Sequence, residues 1–140
     1  MIKKIFFTGL LLHILLVAYA QPFVNEIAAF KKKDSISFPP KNAILFIGSS
    51  SFRLWPNFPT YFPSHTIINR GFGGSLLPDI ILYADDIIFP YQPRQVVIYC
   101  GENDIGSSDT VTTEIVLTRF KNLFQLIRKK CLQYRYCLFL

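Results

Sequence analysis

Residues 44–55, ILFIGSSSFRLW, decide how this chain is read. The run 43–47 is continuously apolar rather than alternating, the pattern of a strand buried on both faces, as in a parallel sheet. It ends in a glycine and three serines, with an arginine and a tryptophan close behind. Such a hydroxyl cluster is either a polar turn that caps a helix, or it holds one serine as a nucleophile at the end of a sheet.

Working outward, residues 23–33 form a short amphipathic helix with Phe23, Ile27 and Phe30 on one side. Pro39 and Pro40 stop it and deliver the chain to the strand. WPNFPTYFPSH, residues 55–65, reads as loop. Residues 66–68 are a second short strand, ended by NRGFGGS. A helix follows in LLPDIILYADDIIFP: Leu77, Ile80, Ile81, Ala84, Ile87 and Ile88 recur at helical spacing, with Asp79, Asp85 and Asp86 opposite. Ser75 is its expected N-cap and Pro90 its end. Residues 95–99 are a third apolar strand, terminated by CGENDIG. A long helix over 111–130 carries the stripe Val116, Phe120, Leu123 and Ile127, and residues from Tyr134 onward can form a fourth strand. Strand and helix in alternation argue for a parallel sheet covered by helices on both faces.

The 140 residues fit one domain. Lys3 and Lys4, the apolar run 5–17 and Ala18-Tyr19-Ala20 have the form of a secretory signal peptide cleaved after Ala20. The run is shorter than the roughly 20 apolar residues that span a bilayer. The expectation is a secreted or periplasmic protein of residues 21–140 with no stable membrane anchor. The net charge of +6 is concentrated at the two ends. Lys3 and Lys4 account for one part, and Arg128, Lys129, Lys130 and Arg135 for the other. Between residues 21 and 127 acids and bases balance, and no basic stripe interleaved with aromatics suggests nucleic acid. Lys31-Lys32-Lys33 is a solvated helix face. The three cysteines are too few and scattered for a disulfide framework. None has metal-ligand spacing to a histidine, so no metal is expected, and Cys100 reads as a small buried hydrophobe.

In an open parallel sheet the carboxyl ends of the strands share one edge, where ligands bind. Three loops meet there: Gly48-Ser49-Ser50, Gly71-Phe72-Gly73-Gly74 and Gly101-Glu102-Asn103-Asp104. A serine just past a strand can present its hydroxyl while its N–H begins a helix. A glycine lets the backbone approach a ligand closely, and an asparagine offers an uncharged N–H₂ donor. Two backbone N–H groups and one amide aimed at one point make an oxyanion hole.

GSSS after the first strand, NRGFGGS after the second and GEND after the third resemble the blocks of the SGNH, or GDSL-type, hydrolases. The match spans about residues 42–127. It departs from the family at Ser49, where the first block usually has aspartate. The resemblance implies a three-layer α/β/α, flavodoxin-like fold, with residues 21–140 a partial hydrolase domain. It implies that Ser50 attacks an ester carbonyl, with the oxyanion held by the N–H of Ser50, the N–H of Gly74 and the side chain of Asn103. Substrates would be small-molecule or glycan esters, with no cofactor.

Ordinary roles suit the neighbours. Ser49 and Ser51 fit a helix cap or turn, Gly71 and Gly73 turns, and Asp104 the backbone donors of its own loop. Glu102 points to solvent or substrate. Arg53 and Trp55 follow the serine closely enough to line a pocket, although packing equally suits Trp55. Arg53 and Glu102 are the candidate substrate contacts.

A serine nucleophile needs a base. The family takes it from an Asp-x-x-His block, which this sequence lacks. His13 lies in the signal segment. His65, at the start of the second strand, is about 13 Å from the glycine loop at about 3.3 Å per residue, toward the wrong end of the sheet. The end of the chain, KKCLQYRYCLFL, is also unlike the family, and the sequence reads as an incomplete, truncated or frame-shifted, hydrolase with little turnover. A non-catalytic carbohydrate- or lipid-binding remnant is the alternative. A phosphate or nucleotide binder using residues 48–51 lacks both G-x-x-x-x-G-K-[ST] and G-x-G-x-x-G with its following acid. Oligomeric state is left open by the sequence.

Overall fold

The computed structural model describes residues 22–131 and 138–139. The expected signal segment, and most of the expected fourth strand, lie outside them. In chain order the elements are α1 (Val24–Ile36), β1 (Ile44–Gly48), α2 (Ser50–Arg53), a 3-10 turn (Phe58–Tyr61), β2 (Ile67–Gly71), α3 (Leu77–Leu82), α4 (Ala84–Ile87), a second 3-10 turn (Phe89–Tyr91), β3 (Gln95–Tyr99), α5 (Glu102–Gly106), α6 (Thr113–Cys131) and β4 (Leu138–Phe139). All strand pairs are parallel, and the order is β2-β1-β3-β4. The chain steps from β1 to one side for β2 and to the other for β3, so the topological switch point lies between β1 and β3.

The continuous apolar run of β1 is explained by its central place. Every residue of β1 is buried. Leu45 and Ile47 face one side with Ile68, Val96 and Ile98, under Ile27 of α1, Leu77 and Ile80 of α3, Ala84 and Ile87 of α4, and Leu123 and Ile127 of α6. Each such aliphatic side chain contributes on the order of 1.5–3 kcal/mol on burial. Ile44 and Phe46 face the other side. There the cover among the described residues is α2 and the aromatic segment that follows it. Phe46 meets Phe58 at 4.7 Å and Phe52 at 5.3 Å, both edge to face, and Trp55 meets Phe58 at 4.9 Å. The segment expected as loop is therefore a packed aromatic cap, and Trp55 belongs to it.

Other elements differ from expectation in detail. β2 extends through Asn69 and Arg70 to Gly71 because both polar side chains find partners. Asn69 Nδ2 donates to Phe52 O at 2.7 Å. Arg70, nearly buried, donates to Asp34 of α1 and to Tyr91 Oη, and its guanidinium lies 5.0 Å from the centre of the Phe30 ring. Tyr91 Oη in turn donates to Asp34. Burial, followed by that bond to Asp34, pushes the Tyr91 phenol up to about 12 against the opposing pull of Arg70.

The single helix expected after residue 75 is broken at Tyr83 into α3 and α4. Asp85 and Asp86 fall in the first turn of α4, where acids suit the unpaired N–H groups of a new helix start. Ser75 is not the cap of α3. Leu76 holds that position, and the Asp79 carboxylate accepts its N–H at 2.8 Å. Pro90 sits inside the second 3-10 turn instead of ending a helix. On α6, Leu123 and Ile127 are fully buried and Val116 packs against them, whereas Phe120 is 37% exposed.

Gly48 fixes the common edge of the sheet. It pairs with Gly71 on one side and Tyr99 on the other. Its φ is +149°, and a β-carbon there would lie 1.9 Å from the carbonyl oxygen of Tyr99. Gly48→Ala is expected to cost at least about 3 kcal/mol, through backbone strain and displacement of β3. The shift of the urea unfolding midpoint, at unchanged m-value, measures it.

Candidate active site

Because β1, β2 and β3 end in register, the residues that follow them emerge side by side. Ser50 is two residues beyond Gly48, Gly74 three beyond Gly71, and Asn103 four beyond Tyr99. Two side-chain hydrogen bonds connect the loops. Ser49 Oγ donates to Glu102 Oε1 at 2.6 Å, linking the first loop to the third. Asn103 Nδ2 donates to Ser75 O at 3.1 Å, linking the third to the second. Each link joins residues adjacent to, or belonging to, the candidate donor set.

Ser50 opens α2 and is half-buried, and its hydroxyl has no hydrogen-bond partner among the described residues. Ser49, fully buried, sits at the N-cap position, but its side chain does not cap the helix. Gly74 is exposed with φ +75°, and a β-carbon there would meet no atom within 4 Å. Its peptide thus borders open space, in a left-handed conformation that favours glycine. Asn103 spends one of its two side-chain N–H bonds on Ser75 and keeps the second for another acceptor.

Asp104 is fully buried. Its carboxylate accepts from the N–H of Leu77 at 2.9 Å and pairs with Arg119 of α6 at 2.8 Å. The expectation that it satisfies backbone donors holds, although the donor belongs to α3 and not to its own loop. Cys100 is half-buried and packed against the core, its thiol donating to Ser75 O at 3.5 Å. Burial, reinforced by the charges of Asp104 and Glu102, pushes it up to about 12. Ser75 Oγ is buried and without a hydrogen-bond partner among the described residues.

Of the candidate substrate contacts, Glu102 is exposed and engaged by Ser49. Arg53 lies across the second loop, so close that a β-carbon on Gly73 would fall 2.6 Å from its Nε. Its Nε is 3.7 Å from Glu26 of α1, whose Oε1 also accepts the Gly73 N–H at 3.2 Å. Glu26 was not foreseen. Nothing in its surroundings marks it, because its partner is 47 residues away. His65 is exposed, two residues before β2 begins, at the edge opposite Gly71. It is the only histidine among the described residues and is not part of the cluster.

Among the described residues no group of three His, Cys, Asp or Glu side chains could hold a metal ion, and no helix is long and apolar enough to cross a membrane. A concavity of about 320 Å³ between α1 and α4, lined by Val24, Ile27, Ala28, Lys31, Tyr83 and Asp86, is lined mainly by helix side chains and not by the strand-end loops.

A serine, a glycine peptide and an asparagine thus follow the carboxyl ends of three adjacent parallel strands, on either side of β1. No protein-family model and no curated protein sequence matches the chain. Solved structures do. A Streptococcus pneumonia protein described as a platelet activating factor is 25% identical, with a TM-score of 0.65 over 82% of this chain and 51% of its own. A GDSL-like lipase from Bacteroides thetaiotaomicron is 17% identical, with a TM-score of 0.64 over 75% of this chain and 54% of its own. An acetyl xylan esterase is 19% identical, with a TM-score of 0.53 over 69% and 56%. The chain has the SGNH/GDSL-type hydrolase fold, and it spans about half the length of the structures it matches.

The shifted thiol has a measurable consequence. Folded Cys100 keeps its proton up to about pH 12, while an unfolded thiol loses it near 9.0. Its contribution to stability is complete below pH 9 and declines as the pH rises toward 12. Native Cys100 is expected to resist iodoacetamide at pH 8 and to react only on unfolding, as peptide mapping by mass spectrometry would show.

Proposed function

We propose that this chain carries the nucleophile and oxyanion-hole portion of a serine ester hydrolase, one that acts on acyl or acetyl esters of carbohydrate or lipid. What supports the reading is the pair of hydrogen bonds, Ser49 to Glu102 and Asn103 to Ser75, that ties together the loops carrying Ser50, Gly74 and Asn103 at the carboxyl ends of β1, β2 and β3. Ser50 Oγ would attack the ester carbonyl. The oxygen that gains charge would be met by the N–H groups of Ser50 and Gly74 and the free N–H of Asn103. Arg53 and Glu102 border the same loops and are the proposed substrate contacts, Glu102 through the carboxylate oxygen that Ser49 does not engage. The apolar leader read from the sequence supports a secreted or periplasmic location.

Among the described residues no histidine lies with the proposed hole donors. A hole without its base retains only about 10³–10⁴-fold acceleration over water. This polypeptide alone should therefore show very slow ester turnover. The same observation favours a second reading, in which the crevice binds a carbohydrate or lipid ester without cleaving it.

A fluorophosphonate probe tests the first reading. Slow labelling confined to Ser50, and lost in Ser50→Ala, is expected by peptide mass spectrometry. Labelling spread over other serines, or none at Ser50, would remove the nucleophile assignment. Rapid steady turnover of a short-chain aryl ester, abolished by Ser50→Ala, would overturn the low-activity part.

A further inference from the structure

We propose that Ser49 and Glu102 are positioning residues: their hydrogen bond across the switch point sets the direction of the oxyanion donors on both sides of it. The inference rests on the ester-hydrolase reading of Ser50, and it concerns residues to which the fold comparisons assign no role.

A serine at an N-cap ordinarily turns its oxygen back to accept an N–H from the first helical turn. Ser49 does not. Its fully buried hydroxyl donates outward to Glu102 Oε1 at 2.6 Å, the length of a charge-assisted O–H···O⁻ bond. Two consequences follow. The first-turn N–H groups of α2, that of Ser50 included, are left uncapped by this side chain and remain available to a ligand. The peptide that carries the Ser50 N–H is also held by neighbouring contacts. Ser49 N–H donates to Tyr99 O at 3.2 Å, Ser49 O accepts from Arg53 N–H at 3.3 Å, and the side chain is tied to Glu102.

On the other side of the crevice, Glu102 is the first residue of α5 and follows Gly101, whose φ of +130° is open to few residues. Glu102 is exposed, and the side-chain hydrogen bond it makes among the described residues is the one to Ser49. Asn103 comes next in the chain, and its amide reaches Ser75, which follows Gly74. A covalent and hydrogen-bonded path thus runs Ser50, Ser49, Glu102, Asn103, Ser75, Gly74, passing each of the three donors. Where the family's first block usually has aspartate, a serine can donate to Glu102, whereas a carboxylate facing a carboxylate would repel it.

The test uses the full chain and two readouts. The first is the second-order rate of fluorophosphonate labelling at Ser50. Ser49→Ala and Glu102→Ala are each expected to lower it about tenfold, since small misplacements of catalytic groups carry costs up to about 10². The double variant should be no slower than either single, because both remove one bond. Glu102→Gln, which keeps an acceptor oxygen, should recover most of the rate. Thermal midpoints by circular dichroism identify any variant that is merely unfolded. The second readout is the ¹⁵N–¹H spectrum, in which Ser49→Ala should move both the Ser50 backbone amide and the Asn103 side-chain amide. Unchanged labelling rates, additive losses in the double variant, or stationary amide signals in a folded Ser49→Ala protein would overturn the proposal. If the unsubstituted chain is not labelled at Ser50, the hydrolase reading fails, and the amide signals still decide whether the bond orients these groups.

Discussion

The structure turns on the contact between Gly48 and its two neighbouring strands. No side chain fits between Gly48 and the carbonyl of Tyr99. The Gly48 carbonyl also accepts the N–H of Phe72, so both flanking strands are drawn to one line. This alignment is what makes an edge out of three strand ends. The loops beyond it need only two to four further residues to face one another, and their convergence is a matter of register before it is one of chemistry.

How much of this could be read beforehand follows from where the determining partners lie. β3 is found at its expected bounds, because a mostly apolar run there, after Gln95, is bracketed by Pro93 and Gly101. β2 is longer than its apolar core suggests, since Asn69 and Arg70 are strand residues only by virtue of Phe52, Asp34 and Tyr91. The segment after Trp55 has the prolines of a loop and the phenylalanines of a core. Proline dominates a local reading, whereas the rings are decided by the exposed face of β1 they cover. The break at Tyr83 was hidden by an apolar period that continues unaltered through both helices.

At the site the division is similar. That the loops of Ser50, Gly74 and Asn103 follow three neighbouring strands was legible from the apolar runs before them, and their proposed roles came from the resemblance of those loops to the family's blocks. The contacts that tie these loops together were not legible. Ser49 looked like a helix cap or turn hydroxyl, Glu102 like an acid facing solvent or substrate, and nothing singled out Glu26. Their partners are 53, 53 and 47 residues distant, and only the folded sheet introduces them. Asp104 is intermediate: its backbone-satisfying role was readable from its type and loop, but its ion pair with Arg119 depends on how α6 packs.

The N-terminal helix offers a last consequence. Among the described residues the polar tethers of α1 to the body run to residues made later: Glu26 to Arg53 and Gly73, Asp34 to Arg70 and Tyr91, and Lys31 to Asp86. During synthesis this helix therefore cannot complete these contacts until the chain has left the ribosome past Tyr91. In order of assembly, then, a helix that precedes the whole sheet in the chain gains its full set of partners only after β2 and α4 have been made, and α6 is added to the same face later still.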